Sequence, residues 1–497
     1  MLGVSYATTV SANGDRKVRF LWGWGGSSLA FILPFVTYLR TLAPTIYGLD
    51  SAELTTAAYC LGLVHPPGYP LYLLIGHLFT RLPFGNVGYR MNLMSAFFGA
   101  LAITLLYLLL LKLTQRLFVS LVASLFLAYS FFFWSLSVMA EVYTLHIFLM
   151  AALVLIVLTW QEQRGSRWLY LFTLLYGLSL GNHSSTLLLA PGLLYWLLAT
   201  DYRQLLQHKH ILVMLTLFVL GLSVYIYLPL RYAAHPLAVG AMQIRVTSWR
   251  DALEVISARA FWGLVFAYRW PEVWGQVADY LYCLWGNFLG VGLVIGVVGG
   301  VIAFQRWRNL TIALALMYLA NAIFFIGYRA GDKRIMFLPT YFIWAVWIGL
   351  GYDWLLEQVG YLTEGAAAPR RWQGAVYPLF LILTLTALVV NFQYADLSND
   401  WRTYEQAIRI FETVEPGAYV LAASWFEVAP LEYLHIVEQR RPDVNVLNRS
   451  GMSLSELYAL IESERDTHPF YSTANLGWLA AQYELKYIER CNCYRIR

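Results

Sequence analysis

Charge is what this chain has least of. Asp, Glu, Lys and Arg make up 13% of its 497 residues, against roughly a quarter in soluble domains, which excludes an ordinary water-soluble fold. The net charge of +5 is spread without a basic run, so nucleic acid is excluded as a partner. Cysteine is nearly absent, with four residues. Cys60 and Cys283 stand alone near or in apolar segments and read as small buried thiols. Cys491 and Cys493 are too few ligands for a metal site. A local disulfide, an intermolecular link and ordinary thiols all stay open for that pair. The C-terminal part has no G-x-G-x-x-G loop, which leaves nucleotide binding there without support. The first apolar segment lacks a small-residue cleavage site and reads as a retained signal anchor.

What the chain has is apolar surface. It is 59% hydrophobic with mean hydropathy +0.56, and its 19 Trp and 35 Tyr suit many interfacial belts. Segments of spanning character lie near 20–39, 92–114, 117–139, 143–160, 168–182, 185–200, 211–230, 279–304, 309–327, 335–356 and 375–392. The expectation is a polytopic α-helical membrane protein of about eleven transmembrane helices. With the N-terminus cytoplasmic, alternate turns receive Lys112 and Arg116, Arg164 and Arg167, Arg203 and Lys209, Arg306 and Arg308, then Arg370 and Arg371. The opposite face then holds Asp50, Glu53, Glu141, Asn182, His183, the 231–275 segment, Tyr328–Arg334 and everything after 395.

The densest pattern runs from Asp50 to Asn92. Asp50 and Glu53 are spaced to share one side of a helical turn, and carboxylates beside a bilayer must be hydrated, paired or functional. The bland alternative is a hydrated loop with Asp50 capping the next turn. His65-Pro66-Pro67-Gly68-Tyr69-Pro70 forbids a regular helix and sets a turn. Leu71–Phe79 is apolar but short, and reads as a helix lying in the interface plane. Tyr89-Arg90-x-Asn92 closes the stretch, and Ala140-Glu141-Val142-Tyr143 follows later.

Taken together, Asp50-Ser51-x-Glu53, His65–Tyr72, Tyr89-Arg90-x-Asn92 and Ala140–Tyr143 resemble the protein O-mannosyltransferase-like family of integral-membrane glycosyltransferases with the GT-C fold. The nearest likeness is to a bacterial branch of that family. The resemblance implies transfer of a sugar, mannose first, from a polyprenyl-phosphate carrier to a hydroxyl acceptor, by inverting chemistry on the non-cytoplasmic face of a bacterial inner membrane. The acceptor class (protein Ser/Thr, glycan or lipid) stays open. It also implies that the catalytic acid sits in the first external loop, which points to Asp50, with Glu53 and Glu141 as partners. Glu141 could equally be a helix cap or interfacial anchor.

Substrate-contact candidates come from several places. His65 and Tyr69 belong to the Pro-rich turn, and Arg90 to the motif after it. Asn182 and His183 break an apolar run, so their backbone must be satisfied by protein or a wet cavity. Arg231 ends a span, whereas Arg245, Arg250, Arg259 and Arg269 lie among interfacial aromatics and suit lipid headgroups. In Tyr328-Arg329-Ala330-Gly331-Asp332-Lys333-Arg334, the Arg329 and Arg334 forks and the Lys333 point charge suit a phosphate. The alternative there is a turn ion-paired through Asp332. No metal-ligand cluster stands out; a divalent metal remains compatible with the chemistry and is not required by it.

The composition divides the chain into a membrane-embedded catalytic domain, 1–394, and a small non-cytoplasmic α/β domain, 395–497. Two rival classes are a non-catalytic GT-C-fold subunit of a membrane assembly and a secondary transporter. The transporter would place charges mid-membrane on repeated halves, and no internal repeat is visible.

Overall fold

The structure is a computed structural model. It describes residues 14–234, 244, 246–364, 371–449 and 452–497; Arg245, Arg370 and Ser450 of the Asn448-Arg449-Ser450 sequon lie outside them. The first ten α-helices among the described residues are α1 Gly14–Arg40, α2 Ser51–Cys60, α3 Pro70–Thr80, α4 Val87–Thr114, α5 Leu117–Ala128, α6 Phe131–Ser137, α7 Tyr143–Gln163, α8 Ser166–Leu180, α9 Ala190–Leu205 and α10 His208–Leu222. Long helices at Trp270–Asn287, Val291–Arg306, Arg308–Gly327, Leu338–Glu364 and Arg371–Ala395 complete the apolar part.

Every apolar segment read from the sequence is therefore helical. Five of the described helices are individually long and apolar enough to cross a membrane, and seven when two bent pairs count as single spans. The count falls below eleven because several segments are short or broken. α5 and α6 meet at 71°, and Trp270–Asn287 meets Val291–Arg306 at 98°. Ser166–Leu180 and Ala190–Leu205 stop at 15 and 16 residues, less than a full bilayer crossing requires.

Packing follows the small residues. Val291–Arg306 lies against Leu338–Glu364, and a Cβ at Gly299 would sit 1.7 Å from the Trp347 carbonyl oxygen, so only glycine permits that approach. The close face runs through Gly292, Gly296 and Gly299. Gly300, which four-residue spacing alone selects, meets Trp347 only at ordinary distance.

After Ala395 the chain builds a sheet of β1 Tyr419–Ala422, β2 Asn445–Asn448, β3 Phe470–Ser472, β4 Leu485–Ile488 and β5 Cys493–Ile496, in spatial order β2-β1-β3-β5-β4. β1 pairs parallel with β2 and β3, while β5 runs antiparallel to β3 and β4. Helices Trp425–Glu432 and Leu454–Glu464 provide the two parallel crossovers. Cys491 and Cys493 form a disulfide; Cys60 and Cys283 are free thiols.

This α/β part is not a loose appendage. Ile46, just before the acidic motif, and Ala52, within it, share a buried cluster with Ala407, Ile410, Phe411, Leu431 and Tyr433. The Tyr433 hydroxyl accepts the Gly88 amide at 3.3 Å. The helix carrying Glu53 is thus held from both sides.

Candidate active site

The acidic motif sits at the start of α2. Asp50 occupies the N-cap position, yet its side chain makes no capping hydrogen bond, so it is not spent on the helix. The Pro-rich turn folds back over α2. Gly68 has φ +87°, and a Cβ there would lie 2.8 Å from Leu228 Cδ2, so the turn needs glycine at this point. It delivers His65 onto Glu53. The Oε2 of Glu53 is 2.7 Å from His65 Nδ1, and its Oε1 accepts the His65 amide at 3.0 Å. On the other side of the ring, Nε2 lies 2.9 Å from the Tyr69 hydroxyl and 3.6 Å from Asp50 Oδ2.

Glu141 closes the group. Its Oε1 accepts the Asp50 amide at 3.3 Å, while its buried Oε2 has no partner among the described residues. It is neither an interfacial anchor nor a cap of α7, whose N-cap is Val142. Asn92 explains how Glu141 gets there. Its amide donates to the Ala43 and Thr45 carbonyls and its Oδ1 accepts the Ala140 amide, clasping the two loops together.

Burial dominates the electrostatics. It raises Glu53 above the ordinary carboxylate range, against the pull of His65. Burial alone would lower His65, but Glu53 and then Asp50 outweigh it and push the imidazole up to about 9. We read the pair as an imidazolium held on a carboxylate, because the 2.7 Å contact gives both charges a partner. Glu141 is raised well above its usual range by burial and then by the neighbouring Asp50.

Asp50 and His65 face a cavity of about 810 Å³, with Glu53 and Glu141 buried behind them. Asp50, His65, Tyr69 and His183 line it together with Asp332, and its walls include Leu187, Leu188, Leu264, Val265, Phe324 and Phe325. The alternative of a turn ion-paired through Asp332 does not hold, and sequence reasoning assigned Asp332 no place in the site. Arg334 pairs instead with Asp279, and Asp332 turns inward, its carboxyl raised by burial and by Asp50. A lone acid among cations gave no signal of that. The 257–265 wall and Phe426 from the C-terminal part also went unrecognised.

The cations are placed less centrally than the sequence suggests. Among the described residues lining the cavity there is no Arg or Lys. Lys333 Nζ donates to Gln276 Oε1 at 2.6 Å and to the Tyr268 hydroxyl at 3.3 Å. The Arg329 guanidinium stacks 5.6 Å from the Tyr268 ring centre, between Tyr328 and Ala330, which do line the cavity. Arg90 spends its guanidinium on the Thr80, Phe84 and Gly85 carbonyls. Arg231 donates to the Leu61 and Cys60 carbonyls and so satisfies the C-terminal end of α2. Asn182 donates to the Val142 carbonyl at 3.2 Å.

Folding also assembles a ligand set that the linear sequence does not display. Asp50, Glu53 and His65 each offer one ligand atom, all within 4.8 Å of one another. Both ring nitrogens of His65 are already engaged, however, so a cation would have to displace Tyr69 or Glu53. With Glu53 orienting the ring, His65 Nε2, on giving up its proton, and Asp50 would hold a divalent ion, with water completing its shell.

Residues 50–206 match the family model described as "Protein O-mannosyl-transferase TMEM260 N-terminal domain". The resemblance to protein O-mannosyltransferases holds. Mouse (Mus musculus) Protein O-mannosyl-transferase TMEM260 is 33% identical over 210 residues, covering 41% of this chain and 30% of the relative. The Dictyostelium discoideum protein of that name is 22% identical over 471 residues, covering 86% of this chain and 57% of the relative. The chain therefore spans about a third to just over half of these relatives. Among solved structures, ArnT from Cupriavidus metallidurans bound to undecaprenyl phosphate superposes with TM-score 0.58 at 12% identity, over 98% of both chains. Its apo form gives 0.51 at 11% identity, over 97% of this chain and 98% of that one. At that identity the likeness establishes the fold, which is GT-C-like, in a membrane protein with a small C-terminal α/β part.

Proposed function

We propose that this protein is a polyprenyl-phosphate-sugar-dependent glycosyltransferase. It would move a sugar, mannose first, to a hydroxyl acceptor on the non-cytoplasmic face, with inversion. The observation that carries this reading is the cavity in which Asp50 and His65 share a wall with Phe324, Phe325, Leu187 and Leu188. An apolar wall suits an isoprenoid, and a carboxylate beside it suits activation of a hydroxyl. The ArnT neighbour holds undecaprenyl phosphate, a carrier of the class such a wall would accept.

In the proposed step, the acceptor oxygen attacks the anomeric carbon and the bond from that carbon to the phosphate oxygen breaks. The electron pair leaves with the phosphate, and the hydroxyl proton passes to Asp50. A lipid phosphate is already a good leaving group, so no strong general acid is needed. Glu53 orients His65, Glu141 fixes the Asp50 backbone by accepting its amide, and Tyr69 sets the far side of the imidazole. Arg329 is the best-placed cation for the donor phosphate, because its guanidinium stacks on Tyr268 and makes no hydrogen bond or ion pair among the described residues. Lys333 and Arg334 would support it from their own partners. Arg90, Arg231 and Asn182 act by holding loops. A bound divalent ion would add positive charge near the leaving phosphate.

Residues 1–394 would form the catalytic domain and 395–497 an acceptor-side domain, with Phe426 at the cavity. The N-terminus would be cytoplasmic in a bacterial inner membrane. The Cys491–Cys493 disulfide accords with an oxidising compartment for the C-terminal part. The test is the purified full chain with radiolabelled polyprenyl-phosphate mannose and a panel of peptide, glycan and lipid hydroxyls. Transfer to any of them supports the reading; absence of transfer, donor hydrolysis and donor binding together sinks it.

A further inference from the structure

Between α8 and the 3₁₀ turn Ser184–Leu189, His183 is extended, with φ −156°. Its Nδ1 accepts the Ser185 amide at 3.1 Å. A backbone amide can only donate, so Nδ1 carries no proton and the ring's hydrogen resides on Nε2. The turn therefore fixes one tautomer. His183 is 8% exposed and stands on the cavity wall. No acceptor meets Nε2 among the described residues. The rings beside it are Tyr69 at 5.8 Å, Tyr143 at 5.5 Å and His146 at 5.5 Å between centres. The Tyr69 hydroxyl faces His65, and the His146 nitrogens face Ser185 and Thr186 at 3.2 and 3.4 Å. An N–H without a protein acceptor, on a nine-tenths buried residue of the cavity wall, is costly unless a ligand or water satisfies it.

We infer that His183 Nε2–H donates to a hydroxyl oxygen of the transferred sugar, making the Asn182–Ser185 break the sugar subsite of the cavity. This rests on the glycosyltransferase reading and specifies which part of the donor lies there. Three features favour the sugar over the phosphate. The donor is neutral by geometry, since a doubly protonated ring would lose the Ser185 bond, and a phosphate calls for charged donors. Burial acts in the same direction, lowering the imidazole to about 3, with His146 and His65 adding to it. The neighbouring cavity groups, Ser184, Ser185 and the Tyr143 ring, are uncharged, as a polyhydroxyl ring stacked on an aromatic face would require.

The test compares two lipids on the full chain: polyprenyl-phosphate mannose and polyprenyl phosphate without sugar. His183→Phe should weaken the sugar-bearing lipid on the order of tenfold and leave the bare phosphate lipid unchanged. His183→Gln, which keeps a side-chain N–H, should stay within about threefold of wild type. One monodeoxy-mannose donor should lose the same factor on wild type and nothing further on His183→Phe. Sugar-lipid affinity should also be flat from pH 6 to 8, since the group does not titrate there. Equal loss on both lipids, or no loss on either, overturns the inference while leaving the enzyme reading standing. Wild-type protein that binds the bare phosphate lipid but no mannose-, glucose- or N-acetylglucosamine-bearing form overturns both.

Discussion

His65 uses both carboxylate oxygens of Glu53: its ring Nδ1 lies 2.7 Å from Oε2 and its own amide 3.0 Å from Oε1. A carboxylate gripped twice by one residue is poorly placed to accept a proton from an incoming hydroxyl. Asp50 is gripped by nothing comparable; its side chain is 30% exposed and faces the cavity. The two acids of the motif, chemically alike, thus stand in different surroundings. In the proposed reaction Glu53 would position His65, and Asp50 would take the proton.

The first prediction concerns pH. Burial opposes the charge on His65, but Glu53 and Asp50 raise its pKa from 6.5 to about 9. A group raised in the folded state stabilises fully below its unfolded value, and that stabilisation is lost as pH rises through the folded value. The apparent Tm of wild type in EDTA should fall between pH 7 and pH 9.5, and His65→Gln should show a flatter profile. Parallel profiles for the two proteins would mean that the imidazole is not held charged by Glu53.

The second concerns the phosphate. Arg329 stacks on Tyr268, whereas Arg334 is tied to Asp279 and Lys333 to Gln276. A charge-assisted hydrogen bond contributes roughly 1.5–3 kcal/mol, so Arg329→Ala should weaken donor binding by about 10–150-fold. Arg329→Lys should restore it only in part, since the paired fork is lost. Arg334→Ala should cost less. Unchanged donor affinity in Arg329→Ala and in the Arg329→Ala, Arg334→Ala double variant would take these cations out of the site.

The helical, membrane-embedded character of the chain was legible because apolar periodicity is a local property, written into each segment. The acid motif was legible too, through Asp50, Glu53, His65 and Glu141. What stayed hidden depends on contacts distant in sequence. Arg90 and Arg231 look like ligands in a list of cations, but each is consumed by backbone carbonyls that only the folded turn presents. Asp332 looks like a neutralised turn residue until Arg334 is seen with Asp279. The three-ligand arrangement of Asp50, Glu53 and His65 needs the Pro-rich turn to fold back, which spacing does not reveal. The sequence also treats the C-terminal part as separable, whereas Ile46 and Ala52 bury themselves within its core.

The third prediction is topology. Arg116 lies at a basic turn, and Asp400 begins the α/β part that packs on the α2 side of the protein. Reporter fusions at these two positions should give opposite compartments, Arg116 cytoplasmic and Asp400 not. The same compartment for both would remove the common face on which the site and the C-terminal part are proposed to meet.

The last prediction tests the base itself. Asp50 stands at the mouth of α2 with no capping bond, its amide held by Glu141 and its carboxylate 3.6 Å from His65 Nε2. A nearby imidazolium steadies the carboxylate, and the cavity gives an acceptor hydroxyl access to it. Asp50→Asn preserves size and hydrogen bonding but cannot take a proton. Donor binding should therefore persist while transfer falls by about 10²–10⁴-fold, the usual share of general-base catalysis. Glu53→Gln should act differently: the imidazole loses its counter-charge, so the fall in rate should come with the altered pH–Tm profile seen for His65→Gln. Glu141→Gln keeps a side-chain oxygen that can accept the Asp50 amide and should fall least of the three. Rates measured at saturating donor, with bound lipid quantified in parallel, separate these cases. Wild-type transfer by Asp50→Asn would make Asp50 a structural residue and pass the proton to Glu53 or Glu141.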